Sequence, residues 1–193
     1  MWSQLGPGLR INLFLTLLLG IAYPLAVTGV CQVAFPHRAN GSLTTVQGKT
    51  IGSELIGQSF TKPEYFQPRP SAAGTDGYDA TASAGSNYGP TSQKLIDRVK
   101  ASVEKFHKEN PDYHGPIPAD LRTSSASGLE PHISPASSQV QAPRIAHARG
   151  IPADQVRALI ARNIEPPQLG VLGEPRVNVL AINLALDQVY PKR

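Results

Sequence analysis

Between Ile11 and Phe35 the chain carries no Asp, Glu, Lys, Arg or His, with Arg10 directly before this stretch and His37-Arg38 just beyond it. A helix of that length reaches roughly 37 Å, more than the roughly 30 Å hydrocarbon core of a bilayer. The run therefore predicts a membrane anchor and divides the chain into a short tail (1-10), a transmembrane helix (11-35) and a soluble domain (36-193). A removable signal peptide is the competing reading, but its apolar region is usually about 7 to 15 residues and ends in an A-x-A cleavage pattern. The apolar run here is longer, no such pattern follows it, and Val30 rather than a small residue precedes Cys31, as a lipoprotein signal would not allow. Charge leaves orientation open, because Arg10 on one side stands against Arg38 and Lys49 on the other. Ala22, Ala26 and Gly29 share one helical face, Pro24 predicts a kink, and Asn12 and Gln32 offer polar groups near the ends to another helix or to headgroup water.

With the only cysteine, Cys31, inside the anchor, no intramolecular disulfide can form and the soluble part must be held by packing alone. The net charge of +4 comes from scattered basic residues with no stripe of interleaved aromatics, which excludes nucleic acid as a partner class. Seventeen glycines and eighteen prolines in 193 residues exceed average usage of roughly 12%, so the domain is read as folded but loop-rich.

Residues 43-46 and 51-56 on either side of Gly48 suggest a hairpin, and 61-90 show no periodicity. Leu95, Ile96, Val99, Val103 and Phe106 form a helical stripe that starts after Thr91-Ser92 and ends at Asn110-Pro111. A second helix is predicted from Pro135-Ala136 to Gly150, and a third from Pro152 to Pro166-Pro167 with Val156, Leu159, Ile160 and Ile164 inward. Residues 177-182 read as a buried strand and 183-189 as a terminal helical turn or two. The fold class is α+β: one N-terminal transmembrane helix, then a single loop-rich domain with a small sheet and about three helices.

Four blocks combine turn formers with hydroxyls and amides: Arg69-Pro70-Ser71-Ala72; Tyr78-Asp79-Ala80 leading to Gly85-Ser86-Asn87-Tyr88-Gly89-Pro90-Thr91; Gly128-Leu129-Glu130-Pro131-His132-Ile133-Ser134-Pro135; and Leu172-Gly173-Glu174-Pro175-Arg176-Val177-Asn178-Val179. Such residues build tight turns that satisfy their own backbone, which is their commonest use. The stretch from Ser83 to Gly89 superficially resembles a phosphate-cradling loop, but lacks the spacing of a Walker loop and its lysine. Glu130, His132 and Ser134 supply the parts of a nucleophilic triad, yet triad members normally converge from distant segments, and the chain has no G-x-S-x-G elbow. Five histidines show no ligand spacing, so no metal site is expected.

These blocks in this order, together with Gly52-Ser53-Glu54-Leu55-Ile56-Gly57-Gln58 and Tyr65-Phe66, closely resemble the KdpC family, the small subunit of the bacterial Kdp potassium-uptake ATPase. The family often has Gly where Pro68 stands, Leu at Tyr88 and Asp at Glu130, and its run near Gln141-Ala142-Pro143 differs slightly. The resemblance implies an accessory subunit in the bacterial inner membrane, single-pass with its domain outside the cytoplasm. Its implied partners are a P-type ATPase subunit, a potassium-channel-like subunit and a small membrane peptide. In agreement, the chain has no Asp-Lys-Thr-Gly phosphorylation motif and no Thr-Val-Gly-Tyr-Gly filter.

A catalytic-chaperone role is also implied, raising the ATP affinity of the ATPase subunit, with Ser83, Gly85, Ser86, Asn87 and Gly89 as the nucleotide contact. For docking the candidates are Arg69, Ser71, Tyr78, Asp79, His132, Ser134, Glu174 and Arg176, and no residue is assigned to catalysis. Two further readings compete: a membrane-tethered hydrolase using His132 and Ser134, and a tethered binding module with no transporter.

Overall fold

A computed structural model describes residues 2-191, which fall into two compact units dividing after Leu43. In the first, α1 (Leu5–Leu17), a π-helical turn (Leu18–Ala22) and α2 (Tyr23–Ala34) make one continuous helix. This Leu5–Ala34 helix has 30 residues, a mean hydropathy of 2.1 and nothing buried. It starts earlier than the run of uncharged residues because Arg10 does not interrupt a helix, only its apolar surface.

The predicted kink takes the form of the π turn. Pro24 has no N–H to give, and its ring would press on the carbonyl four residues back, that of Gly20. The backbone widens just before it, and the Tyr23 N–H reaches the Leu18 carbonyl, five residues back. The end groups find partners within this unit: Thr16 donates to Asn12 (3.3 Å), and the amides of Gln32 and Asn40 pair reciprocally beside the single turn α3 (Pro36–Ala39).

The second unit opens with a hairpin of β1 (Leu43–Val46) and β2 (Lys49–Ser53), turned by Gln47 (φ 50) and Gly48 (φ 78). Two successive positive φ values match the twist of the strands, which is why the second arm begins at Lys49 rather than Ile51. Residues 54-92 have no helix or strand. Next comes α4 (Gln93–Glu109), where Phe106 is buried, Leu95, Val99 and Val103 are half-buried and Ile96 is exposed. It stops as expected at Asn110, whose side chain bonds back to the Phe106 carbonyl.

A small sheet has the order β3 (His132–Ile133), β5 (Arg176–Asn178), β4 (Ile164–Glu165), both pairings antiparallel, with Val177 opposite both Ile133 and Ile164. Packed with it are α5 (Pro135–Arg149), α6 (Ala153–Arg162) and α7 (Val179–Val189). The bounds of α5 hold at both ends: Pro135 opens it, Gly150 sits at φ 65, and Ser134 caps it by accepting from the Ser137 N–H. The third helix ends sooner than the proline pair suggests, because the Asn163 amide bonds to the Leu159 carbonyl and releases Ile164 to the sheet.

The strand expected over 177-182 is corrected. The Asn178 side chain accepts from the Ala181 N–H, caps α7 and turns the apolar run into a helix, so that Val179, Ile182 and Leu186 face the core together. That core joins Ile133, Ile145, Val156, Ile160, Val177 and Ile182 with Phe66, which arrives from the irregular segment.

Candidate functional site

Phe66 can be buried from a segment without secondary structure because side chains stand in for a neighbouring strand. The Asn183 amide on α7 accepts from the Phe66 N–H (2.8 Å) and donates to the Phe66 carbonyl (3.0 Å). Gln141 on α5 does the same for Gln67, at 2.8 and 3.1 Å. Arg144 donates to the carbonyls of Pro63 and Tyr65, and Arg149 to those of Glu64 and Tyr190. Arg149, its side chain 3% exposed, also pairs with Asp187 at 2.7 Å and lies 5.1 Å over the Tyr65 ring. Burial pushes the Arg144 guanidinium below its ordinary value, opposed by the Glu109 charge. Sequence reasoning missed these residues; a polar side chain within an otherwise apolar helix face, as at Asn183, was the available signal.

Three of the docking candidates, Ser71, Tyr78 and Asp79, are bonded within the loops that carry them. Ser71 Oγ donates to the Gly128 carbonyl (2.6 Å) and accepts from the N–H groups of Tyr78 (2.8 Å) and Ala73 (3.1 Å). Tyr78, at φ 59, returns its hydroxyl to the Arg69 carbonyl, and burial pushes its phenol up. Arg98 of α4 donates to the Ser71 carbonyl. Asp79 caps its own turn, accepting from the hydroxyl and the N–H of Thr81, which hold its carboxyl below the usual range. Gly128 (φ 68) lies so close that a Cβ would stand 2.6 Å from the Ala84 carbonyl.

Among the residues proposed for nucleotide, Ser83 donates to the Ser127 carbonyl (3.0 Å), and Gly85 backs onto Ala126, where a Cβ would stand 2.8 Å from its carbonyl. Ser86 is half-buried, Asn87 is exposed at φ 52, and the Gly89 carbonyl accepts from the Ser92 N–H as α4 begins. This loop is thus fastened along one side to the 126-127 segment and open along the other.

The sheet gathers a second group. Glu130 Oε1 lies 2.6 Å from His132 Nδ1 and accepts the His132 N–H; His132 Nε2 lies 3.7 Å from Glu165, which accepts from Arg176 Nε at 3.0 Å. The His132 hydrogen bond, the main cause, holds the Glu130 carboxyl below its ordinary value; the charges of His132 and Arg69 add to the effect, and burial opposes it. Ser134 is not joined to this group: its hydroxyl donates to Asp120 (3.2 Å), and Asp120 also accepts from the Ser134 N–H and the Ser137 hydroxyl. The hydrogen bond between nucleophile and base that a hydrolase needs is not formed between Ser134 and His132.

Two docking candidates keep polar groups without a partner among the described residues. Arg69 Nε is buried and unbonded beside a cleft of about 280 Å³ lined by Gln67, Tyr78, Lys105, Phe106 and Gln141. Glu174 is exposed just before β5. No group of three or more metal-ligating side chains occurs among the described residues.

The family model for KdpC, described as K+-transporting ATPase, c chain, matches residues 5–188. This chain belongs to the KdpC family. It is 57% identical over 192 residues to the potassium-transporting ATPase KdpC subunit of Caulobacter vibrioides (strain NA1000 / CB15N), covering 99% of this chain and 96% of that one. The KdpC subunit of Rhodospirillum rubrum is 55% identical, with 99% and 98% covered, and that of Myxococcus xanthus 52%, with 98% and 90%. The KdpC match takes in the apolar helix, the hairpin, the irregular segment and the sheet alike, as the sequence blocks implied.

Proposed function

We propose that this chain is the non-catalytic accessory subunit of an ATP-driven, high-affinity potassium uptake complex. It assembles or stabilises a P-type ATPase subunit, a potassium-channel-like subunit and a small membrane peptide. A single helix holds it in the bacterial inner membrane, with its globular unit outside the cytoplasm. The observation that carries this reading is the KdpC match over residues 5–188, which embraces both the 30-residue apolar helix and the folded unit. The loop geometry supports it: bonded to one another, the 69-90 and 128-135 segments form a preformed surface that loses little freedom on docking. Nucleotide enters only through the ATPase subunit. A domain across the membrane changes ATP affinity by contacting two states of the pump unequally, not by touching the nucleotide.

Co-expression of the tagged chain with the other three subunits, followed by isolation in mild detergent, tests the reading. Recovery of all subunits in fixed proportion is expected, and recovery of the tagged chain alone overturns it. For sidedness, Lys100→Cys in a Cys31→Ser background should react with a membrane-impermeant maleimide in intact cells. Labelling only after lysis reverses the orientation.

A further inference from the structure

Asn40-Gly41 and Asp76-Gly77 are the only places in the chain where an Asn or Asp precedes glycine, and at such a pair the backbone can cyclise on the side chain. Glycine permits this because no Cβ shields the attacking nitrogen. On sequence alone Asn40 is the more reactive, since an amide is neutral whereas an ionised carboxylate resists attack. We propose that the fold protects Asn40 and leaves Asp76-Gly77 as the site of spontaneous isoaspartyl formation in this protein.

Asn40 is held at both reacting ends. Its side-chain nitrogen donates to the Pro36 carbonyl (2.7 Å) and to Gln32 (3.3 Å), and the Gly41 N–H donates to the Arg38 carbonyl (3.0 Å). Bringing the Gly41 nitrogen onto the Asn40 side-chain carbon breaks these bonds at the end of α3. Residues 74-77 are held by nothing comparable: none of the four makes a hydrogen bond or ion pair among the described residues. Gly74, Thr75 and Asp76 are exposed, and glycines at φ 71 and 80 stand on either side of Thr75-Asp76. A segment of this kind changes conformation at little cost, which lets the Asp76 carboxyl turn toward the next nitrogen.

In the reaction the Gly77 nitrogen attacks the protonated Asp76 carboxyl carbon and gives up its proton. A C–N bond forms, a C–O bond breaks, and one water leaves. Water then opens the five-membered imide. Addition at the side-chain carbonyl restores Asp76, whereas addition at the main-chain carbonyl breaks its bond to nitrogen and leaves the chain running through Cβ and Cγ. No oxidant, reductant or further reactant is needed. The methylene inserted into the backbone displaces Tyr78, whose N–H and hydroxyl tie the loop to Ser71 and to the Arg69 carbonyl.

Full-length protein in mild detergent, aged at neutral pH in water enriched in heavy oxygen and then digested, supplies the test. The peptide spanning 76-77 should take up the heavy oxygen and accept a methyl group from an isoaspartyl-specific methyltransferase, while Asn40 keeps its amide. Asp76→Asn places the same dipeptide at both positions, and the amide it introduces should be lost at least tenfold faster than that of Asn40. In the chain unfolded by guanidinium chloride the two amides should be lost at similar rates. Asp76→Glu, which would have to close a six-membered ring, should abolish methyl acceptance in that peptide and leave the thermal midpoint unchanged. After ageing, it should also keep the resistance of 69-90 to limited proteolysis that the wild type loses. Absence of methyl acceptance at 76-77 overturns the proposal, as does loss of the Asn40 amide as fast as the one introduced by Asp76→Asn. A rate ratio that persists in the unfolded chain overturns it too, because flanking sequence rather than the fold would then set the order.

Discussion

Asn183 and Arg149 show how single side chains can replace an absent strand. Each Asn183 hydrogen bond satisfies a backbone group of Phe66 that burial has removed from water. Asn183→Leu keeps the volume but leaves two such groups unpaired, at about 1–3 kcal/mol each, so urea unfolding should show a loss of about 2–6 kcal/mol. A loss under about 1 kcal/mol would show that the segment re-forms its bonds elsewhere. Arg149→Ala removes the Glu64 and Tyr190 carbonyl bonds, the Asp187 pair and the stack on Tyr65. A cost of about 3 kcal/mol is expected by the same measurement, and Arg149→Lys should recover only part of it, because an ammonium lacks the guanidinium fork.

Glu130 brings a pH dependence at the same scale. Because the His132 hydrogen bond lowers its folded value, the carboxyl contributes stability that is present above its unfolded value and lost as pH falls through the lower folded one. The stability gap between wild type and Glu130→Gln should therefore be nearly full above about pH 5, narrow as pH falls past the free carboxyl value near 4.3, and vanish only below the lower folded value. A gap that persists to the foot of the acid transition would mean that Glu130 acts by packing. The residue scale was also where the structure added most to the sequence reading. Ser71, Tyr78, Asp79, Ser134 and Arg176 were singled out as polar and loop-borne, and each is engaged inside its own unit.

Among elements, the 69-90 segment depends on close approach of backbones rather than on a ladder. A Cβ at Gly128 would meet the Ala84 carbonyl at 2.6 Å and the Ala73 nitrogen at 2.7 Å while holding a φ of 68. Gly128→Ala should cost at least about 2 kcal/mol, from the left-handed backbone and the displaced contacts together, and should expose the 69-90 segment to limited proteolysis. Unchanged cleavage would show that the two segments are less closely joined than the distances imply. Helix ends were legible where they are local chemistry: Pro135 and Gly150 mark α5 in the sequence and in the structure, which adds the Ser134 cap. The β5 to α7 boundary was not, since a short run of Val, Leu and Ile suits a buried strand and a buried helix face equally. It was settled by the Asn178 side chain, which caps the helix and also donates to the Glu54 carbonyl.

For the molecule as a whole, the division after Leu43 places the entire hydrophobic core in the second unit. A chain beginning at Thr44 should thus fold without the apolar helix and unfold in one cooperative transition, with coincident loss of far- and near-ultraviolet circular dichroism. Separate transitions would mean that the apolar helix contributes to the fold.

By itself the sequence determined the long apolar helix, the α+β class, the ends of α5 and the family, because each rests on local composition, on spacing or on strings of residues that need no third dimension. Only the tertiary structure decided that Asn183 and Gln141 would grip residues 66 and 67, more than seventy positions away, that Glu130, His132, Glu165 and Arg176 would meet on one sheet, and that Leu169 would stand in solvent. Hydrogen-bond partners and burial depend on which distant segments the core brings together, and neither period nor propensity encodes that pairing.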